Sequence, residues 1–62
     1  MRYFVANYNG IPYKAQPPEG YTLTEAKERI QREAARDAHD FGGSIEEHAK
    51  SYLILDQNFH EV

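Results

Sequence analysis

The sequence predicts a single α+β domain over residues 1–62, in which two strands, one helix and two further strands follow each other (ββαββ). We expect a four-stranded antiparallel sheet with the strand order 2-1-3-4 and the helix packed on one of its faces. Three segments carry this prediction: an aromatic run, a long charged run with helical periodicity, and an apolar run. They are residues 2–8, 22–41 and 52–55.

Residues 2–8, RYFVANY, are rich in aromatic and β-branched side chains, which favour a strand. Asn9-Gly10 follows, and this dipeptide is a strong hairpin signal because both residues tolerate a positive φ. We therefore predict a type I′ turn and a second strand over residues 11–15. Pro12 cannot donate a ladder hydrogen bond, so this second strand is expected at a sheet edge.

A two-residue turn also determines which side chains share a face of the hairpin. The predicted opposite pairs are Tyr8 with Ile11, Ala6 with Tyr13, and Phe4 with Ala15. We expect this set to face the helix, because it is the better set of core residues. The other face then carries Tyr3, Val5, Asn7, Pro12 and Lys14.

Residues 22–41 have the start signal, stop signal and periodicity of one amphipathic helix. Thr22 and Glu25 form a capping-box pattern at its start, and Gly42 can supply the left-handed residue at its end. Its apolar stripe is half alanine, which lets a helix lie close to a sheet. The stripe consists of Leu23, Ala26, Ile30, Ala34, Ala38 and Phe41.

The opposite side of this helix carries an arginine row, Arg29, Arg32 and Arg36, interleaved with carboxylates. One interpretation is a solvated face held by ion pairs between successive turns. The other is a surface that grips phosphate or carboxylate groups, which match the guanidinium in geometry. The row is therefore the candidate contact for an anion or a nucleic acid, although a net charge of −3 argues against general nucleic-acid affinity.

Residues 44–50 can be read as helix, loop or strand. Ser44 and Glu47 form a second capping pattern, which favours a short helix, whereas residues 47–50 can also begin the next strand. Residues 52–55, YLIL, are apolar on both faces, which is typical of a central strand. A turn with Asn58 in the left-handed position then leads to a short last strand over 59–62.

One helix covers one face of such a sheet, so the other face is expected to meet solvent or a partner. In the predicted register, Tyr3 and Val5 lie on that uncovered face. The third strand has two apolar faces, and we favour the one that carries Tyr52 over the one that carries Leu53. The candidate protein interface is therefore Tyr3, Val5, Tyr52 and Ile54.

The residue types argue against several classes of site. The chain contains no cysteine, so neither disulfides nor thiolate zinc sites are expected. His39, His48 and His60 lie in different segments without a metal-binding spacing, and no phosphate loop or nucleophile motif is present. We therefore expect no catalytic residue, no metal and no cofactor, and a protein that is not an enzyme.

The short length bears on stability and function together. A chain of this size buries only about 60% of its unfolded surface, so self-association or partner binding would add stability. No apolar run approaches the about 18 residues of a membrane span, and no signal-peptide pattern is present. We expect a soluble, cytoplasmic, non-enzymatic interaction module that forms a homodimer or binds a protein partner. The alternative is a small nucleic-acid-associated protein that uses the arginine row.

Overall fold

The computed structural model describes all 62 residues and contains two short strands and two helices. In chain order these are β1 (Phe4–Asn7), α1 (Leu23–Phe41), α2 (Ile45–Ala49) and β2 (Tyr52–Leu55). The strands β1 and β2 pair antiparallel, with Val5 opposite Ile54. The protein is thus α+β as predicted, but the sheet has only two strands and the predicted four-stranded sheet is wrong.

The predicted strand over residues 11–15 is replaced by a segment that pairs with β1 at separate points. Pro12 pairs with Ala6, and further along the chain Tyr21 pairs with Tyr3. Pro12 has no N–H group, and two further prolines precede Tyr21, so a continuous ladder does not form here.

Gln16 fills the gap between these two pairings with its side chain. Its Oε1 accepts a hydrogen bond from Val5 N at 2.7 Å, and its Nε2 donates to Val5 O at 2.9 Å and to Tyr13 O at 2.8 Å. Val5 is fully buried, so its main-chain groups need partners inside the protein. The carboxamide of Gln16 therefore takes the place of a strand residue at this edge.

The loop after β1 (the first loop, residues 7–11) has three residues in its turn rather than two. Gly10 N–H donates to Asn7 O at 2.9 Å, and Asn7 Oδ1 accepts hydrogen bonds from Asn9 N at 2.9 Å and Ile11 N at 3.2 Å. A type I′ turn needs positive φ at both Asn9 and Gly10, whereas only Gly10 has it, at 80°. The predicted type I′ turn is therefore wrong, because the Asn7 side chain supports a wider loop.

The wider loop shifts the hairpin register by one residue. Ala6 lies opposite Pro12, not opposite Tyr13 as predicted. Tyr13 N–H instead donates to Val5 O at 3.2 Å. Because successive side chains alternate between faces, Tyr13 joins the face of Val5, and the predicted assignment of faces is wrong.

The loop after β2 (the second loop, residues 56–60) repeats the hydrogen-bond pattern of the first. Asp56 Oδ1 accepts from Asn58 N at 2.8 Å and from His60 N at 3.0 Å. Phe59 N–H donates to Asp56 O at 2.9 Å, and Phe59 has a positive φ of 62°. The left-handed residue is thus Phe59, one position after the predicted Asn58.

The predicted last strand over residues 59–62 is reduced to one pairing, between Glu61 and Leu55. It is flanked by a hydrogen bond from Val62 N to Ile54 O at 3.1 Å. The second loop occupies two of the residues predicted to be strand, which leaves no ladder to extend.

Both helices begin at the predicted caps. Thr22 and Glu25 exchange the two hydrogen bonds of a capping box, and Ser44 Oγ accepts from Glu47 N at 3.1 Å, so residues 44–50 contain a short helix. The face of α1 that packs on the sheet is rotated from the predicted apolar stripe. The first and last residues of that stripe, Leu23 and Phe41, are both exposed, and Phe41 is 80% exposed.

Candidate interaction surfaces

Helix α1 covers the sheet face that carries Val5. Val5 lies opposite Ile54 and Asn7 lies opposite Tyr52, so these four side chains share one face. The Tyr52 hydroxyl donates a hydrogen bond to the Asp37 carboxylate of α1, and Val5 is 0% exposed. This face is therefore the interior of the helix–sheet sandwich.

The predicted protein interface lies on this covered face. Val5 is fully buried, and the other three members are half-buried. The premise that the face is open is wrong, since the observed register adds Tyr13 to it and makes it the side that binds the helix. The set Tyr3, Val5, Tyr52 and Ile54 is consequently part of the core layer.

Arg29 lies at the helix–sheet boundary and not on an open arginine row. Its guanidinium carbon is 5.9 Å from the centroid of the Tyr13 ring and 5.7 Å from that of Tyr21. Its Nη1 donates to Ala15 O at 2.9 Å and also bonds to the Tyr21 hydroxyl, and only 16% of the side chain is exposed. Two aromatic rings and a carbonyl thus hold this cation inside the fold, away from external anions.

Arg29 is part of a row of polar residues on the sheet-facing side of α1. Arg29, Glu33 and Asp37 recur every four residues, and Arg29 Nη2 lies 3.9 Å from Glu33 Oε1. Arg29 Nε is buried without a hydrogen-bond partner. Sequence patterning assigns a charged row to solvent, so it did not predict that this row faces the sheet. The one signal of that orientation was that the row shares a helical face with Ala26.

The other two arginines of the predicted row are exposed. Arg36 Nε lies 3.9 Å from Asp40 Oδ2, and the Arg36 side chain is 77% exposed. Exposed pairs of this kind contribute about 0–1 kcal/mol and leave the cation free to exchange partners. The candidate anion surface is thereby reduced from three arginines to Arg32 and Arg36.

Tyr52 is the main polar link between β2 and α1. Its ring centroid lies 5.8 Å from that of Tyr13, and its hydroxyl bonds to Asp37. Burial raises the pKa of the Tyr52 phenol, and the hydrogen bond to Asp37 raises it further because the carboxylate opposes a second negative charge. The phenol is therefore a neutral donor at physiological pH.

The opposite sheet face carries Phe4, Leu53 and Leu55, together with the fully buried Ala6. The second loop partly covers it: the Phe59 ring centroid lies 5.3 Å from that of Phe4, at an interplanar angle of 40°. Leu55 is buried, Phe4 and Leu53 are half-buried, and Phe59 remains 55% exposed. We call these four residues the Phe59 face.

Further large apolar side chains are exposed away from this face. Tyr8 and Ile11 belong to the first loop, and Phe41 and Ile45 lie where α1 meets α2. By contrast, only 6 of the 62 residues are buried. The protein thus keeps a small interior and presents apolar surface that an association could cover.

The structure shows no enclosed cavity in which a reaction could be shielded from water. One open groove runs along α1 and is lined by residues of that helix alone: Thr24, Lys27, Glu28, Ile30, Gln31 and Arg32. An enclosed site that excludes water needs walls from several elements. No three side chains of the metal-binding types converge on one point, and no helix has the length and apolar character needed to cross a membrane.

Comparison with known proteins identifies no relative. The sequence matches no protein-family model and no curated protein, and the structure matches no solved structure.

Proposed function

We propose that the protein is a non-enzymatic interaction module that self-associates through the Phe59 face. The observation that carries the proposal is Phe59 itself, which is 55% exposed and has a φ of 62°. A left-handed conformation in a residue with a side chain costs about 1–3 kcal/mol and tends to occur at functional positions. In the second loop, Phe59 adopts this conformation despite its free-energy cost, and its ring lies beside an apolar sheet face.

A second copy suits this surface in both chemistry and size. Aromatic residues are enriched in protein interfaces, and a two-fold contact would set the Phe59 face of one protomer against that of the other. A standard interface covers about 800 Å² of each partner, roughly a fifth of the 4382 Å² that this protein exposes. Covering Phe4 and Leu53 as well as Phe59 would add apolar burial that the small core lacks.

Sedimentation velocity at tens of micromolar tests the proposal. We expect the parent to sediment as a dimer and Phe59→Gly to sediment as a monomer. Glycine suits this position because Gly10 occupies it in the first loop, so the variant removes the ring without adding strain.

Phe41→Ala is the matched control, since Phe41 is an equally large and even more exposed aromatic residue at the C-terminal end of α1. It should dimerise like the parent. A monomeric parent, or dimer loss in Phe41→Ala instead of Phe59→Gly, would overturn self-association through this face. In the former case the Phe59 face is left for a different protein partner.

The nucleic-acid alternative now depends on Arg32 and Arg36, because Arg29 is held inside the fold. A mobility-shift experiment at two salt concentrations separates it from the proposal. Binding that falls steeply with salt and disappears in the double variant Arg32→Ala/Arg36→Ala would favour the alternative.

A further inference from the structure

We propose that Asn9-Gly10 is a site of spontaneous succinimide formation and deamidation, and that Asn7 controls its rate. Asn9 is exposed, and a Cβ placed on Gly10 would meet no atom within 4 Å. Because Gly10 has no side chain beside its main-chain nitrogen, that nitrogen can approach the Asn9 side chain once the loop opens.

The reaction consumes water and needs no other reagent. The deprotonated nitrogen of Gly10 forms a bond to Asn9 Cγ, and the side-chain amide leaves as ammonia, taking a proton from solvent. Water then opens the resulting ring at either carbonyl, which gives aspartate or isoaspartate at position 9. One water is consumed and one ammonia released, and nothing is oxidised or reduced.

The chain contains two other asparagines, and both are expected to react much more slowly. Asn58 occupies the position of Asn9 in the second loop, but the residue that follows it is Phe59, whose side chain obstructs the attacking nitrogen. Asn7 is followed by Tyr8, and its Oδ1 is engaged by two N–H groups of the first loop. Asn58 thus provides an internal control in the same loop geometry.

The folded first loop protects Asn9 through Asn7. Gly10 N–H donates to Asn7 O at 2.9 Å, and Asn9 N–H donates to Asn7 Oδ1 at 2.9 Å, so the attacking nitrogen is held in the turn. Attack requires a local opening that breaks these bonds. The aspartate at position 56 holds the second loop in the same way, so Asn7→Asp should keep the protection and Asn7→Ala should lose it.

The modification would change the first loop, which connects β1 to the segment that contains Pro12. Either product adds one negative charge to a chain of net charge −3. Isoaspartate also inserts one carbon into the main chain between positions 9 and 10, which breaks the spacing of the Gly10–Asn7 hydrogen bond. We expect isoaspartate to weaken the pairing of the segment that contains Pro12 with β1.

Timed incubation of the full chain at mildly alkaline pH, followed by intact mass and peptide mapping, tests the proposal. The measured rates are those of the folded parent, the parent unfolded in urea, Asn7→Ala and Asn7→Asp. We expect modification at Asn9 only, and roughly fivefold or faster reaction in Asn7→Ala than in the parent, because the two hydrogen bonds that Asn7 Oδ1 accepts from Asn9 N and Ile11 N are lost. Asn7→Asp should match the parent, and the urea-unfolded chain should react fastest.

Comparable modification of Asn58 would overturn the site assignment. Equal rates in the folded and unfolded parent, or in Asn7→Ala and Asn7→Asp, would overturn the control by Asn7. Circular dichroism establishes that each variant is folded. If Asn7→Ala is not, Asn7→Ser replaces it, since the shorter hydroxyl bonds the loop more weakly than the carboxamide; it should react faster than the parent, and a rate equal to that of the parent would overturn the control by Asn7.

Discussion

Gly10 and Phe59 occupy the same position in two loops that share one hydrogen-bond pattern. Their φ angles are 80° and 62°, and each donates its N–H to the carbonyl three residues earlier, at 2.9 Å in both loops. Glycine adopts this conformation without steric cost, whereas a residue with a Cβ does so at a cost of about 1–3 kcal/mol. In the second loop the ring of Phe59 packs on Phe4.

Two substitutions at Phe59 separate the strain from the ring contact. Phe59→Ala loses the contact with Phe4 and keeps the left-handed strain, whereas Phe59→Gly loses both. We expect the glycine variant to be more stable than the alanine variant by about 1 kcal/mol, measured by urea unfolding at a concentration where both are monomeric. Equal stability would show that position 59 does not hold the left-handed conformation in solution.

Gly10 and Gly20 provide a second matched pair, because their φ angles are 80° and 79°. A Cβ on Gly10 meets nothing within 4 Å, whereas a Cβ on Gly20 would lie 2.7 Å from Tyr3 O. Gly10→Ala should therefore cost about 1 kcal/mol, and Gly20→Ala about 2 kcal/mol more, because the main chain before β1 must move. Gly10→Val should cost more than ~1 kcal/mol, since a β-branched residue resists positive φ.

Chemical denaturation of the three glycine variants measures these differences. Similar losses for Gly10→Ala and Gly20→Ala would contradict the close approach of Gly20 to the main chain of Tyr3.

The helix caps could be predicted because each is local in sequence. Thr22 with Glu25, and Ser44 with Glu47, are three residues apart, and the hydrogen bonds follow from that spacing. The pairing of β1 with β2 could also be predicted, because in so small a fold the aromatic run and the apolar run have few other strands to pair with.

The sheet and its faces could not be predicted from pattern, because side chains replace main-chain partners. Asn7 widens the first loop and shifts the register, and Gln16 stands in for a strand residue. The burial of Arg29 depends on Tyr13 and Tyr21, which the fold brings together from both sides of a proline-rich connection. Hydrophobic patterning does not predict such contacts, so it did not predict that Val5 lies against the helix or that Arg29 is largely buried.

Gln16 is expected to be the most sensitive polar residue outside the helices. Gln16→Ala leaves the buried Val5 N–H without a partner, which should cost about 1–3 kcal/mol. Gln16→Glu should also destabilise at neutral pH, because a carboxylate would face the carbonyls of Val5 and Tyr13, and it should recover in acid. Gln31→Ala on the exposed side of α1 is the control and should change stability by less than about 0.5 kcal/mol in urea unfolding. Parity between the Gln16 and Gln31 variants would contradict this role.

The Tyr52 phenol should lose its proton only above the ordinary pKa range of tyrosine. Its pKa is raised in the folded protein by burial and by Asp37, so its neutral form adds stability that is fully present below the unfolded pKa of about 10. That stability is lost as pH rises from there through the higher folded value. The rise of phenolate absorbance with pH should extend further into the alkaline range in the parent than in Tyr52→Phe, in which this late component should be absent. Persistence of the late component in Tyr52→Phe would contradict the raised pKa of Tyr52.

Asp56 should make the protein sensitive to acid. The hydrogen bonds from the main-chain N–H groups of His60 and Asn58 lower its pKa, with the His60 bond the larger cause. A lowered pKa contributes stability above the unfolded value of about 4, and this contribution disappears as pH falls through the folded value. Asp56→Asn keeps an Oδ1 that can accept both bonds, as Asn7 does in the first loop, but it cannot titrate. Its melting temperature should therefore fall less between neutral and acidic pH than that of the parent.

The reciprocal change, Asn7→Asp, places the same carboxylate in the first loop and should make the fall steeper. Glu25, whose pKa is lowered by its hydrogen bonds with Thr22 in the capping box, supplies a further acid-sensitive contribution in all three proteins. For that reason Asp56→Asn is expected to flatten the pH profile only in part, and Asp56→Asn/Glu25→Gln should flatten it further. Parallel melting curves for the parent, Asp56→Asn and Asn7→Asp would mean that the carboxylate of Asp56 is not held by the loop in solution, and that the two loops do not share one geometry.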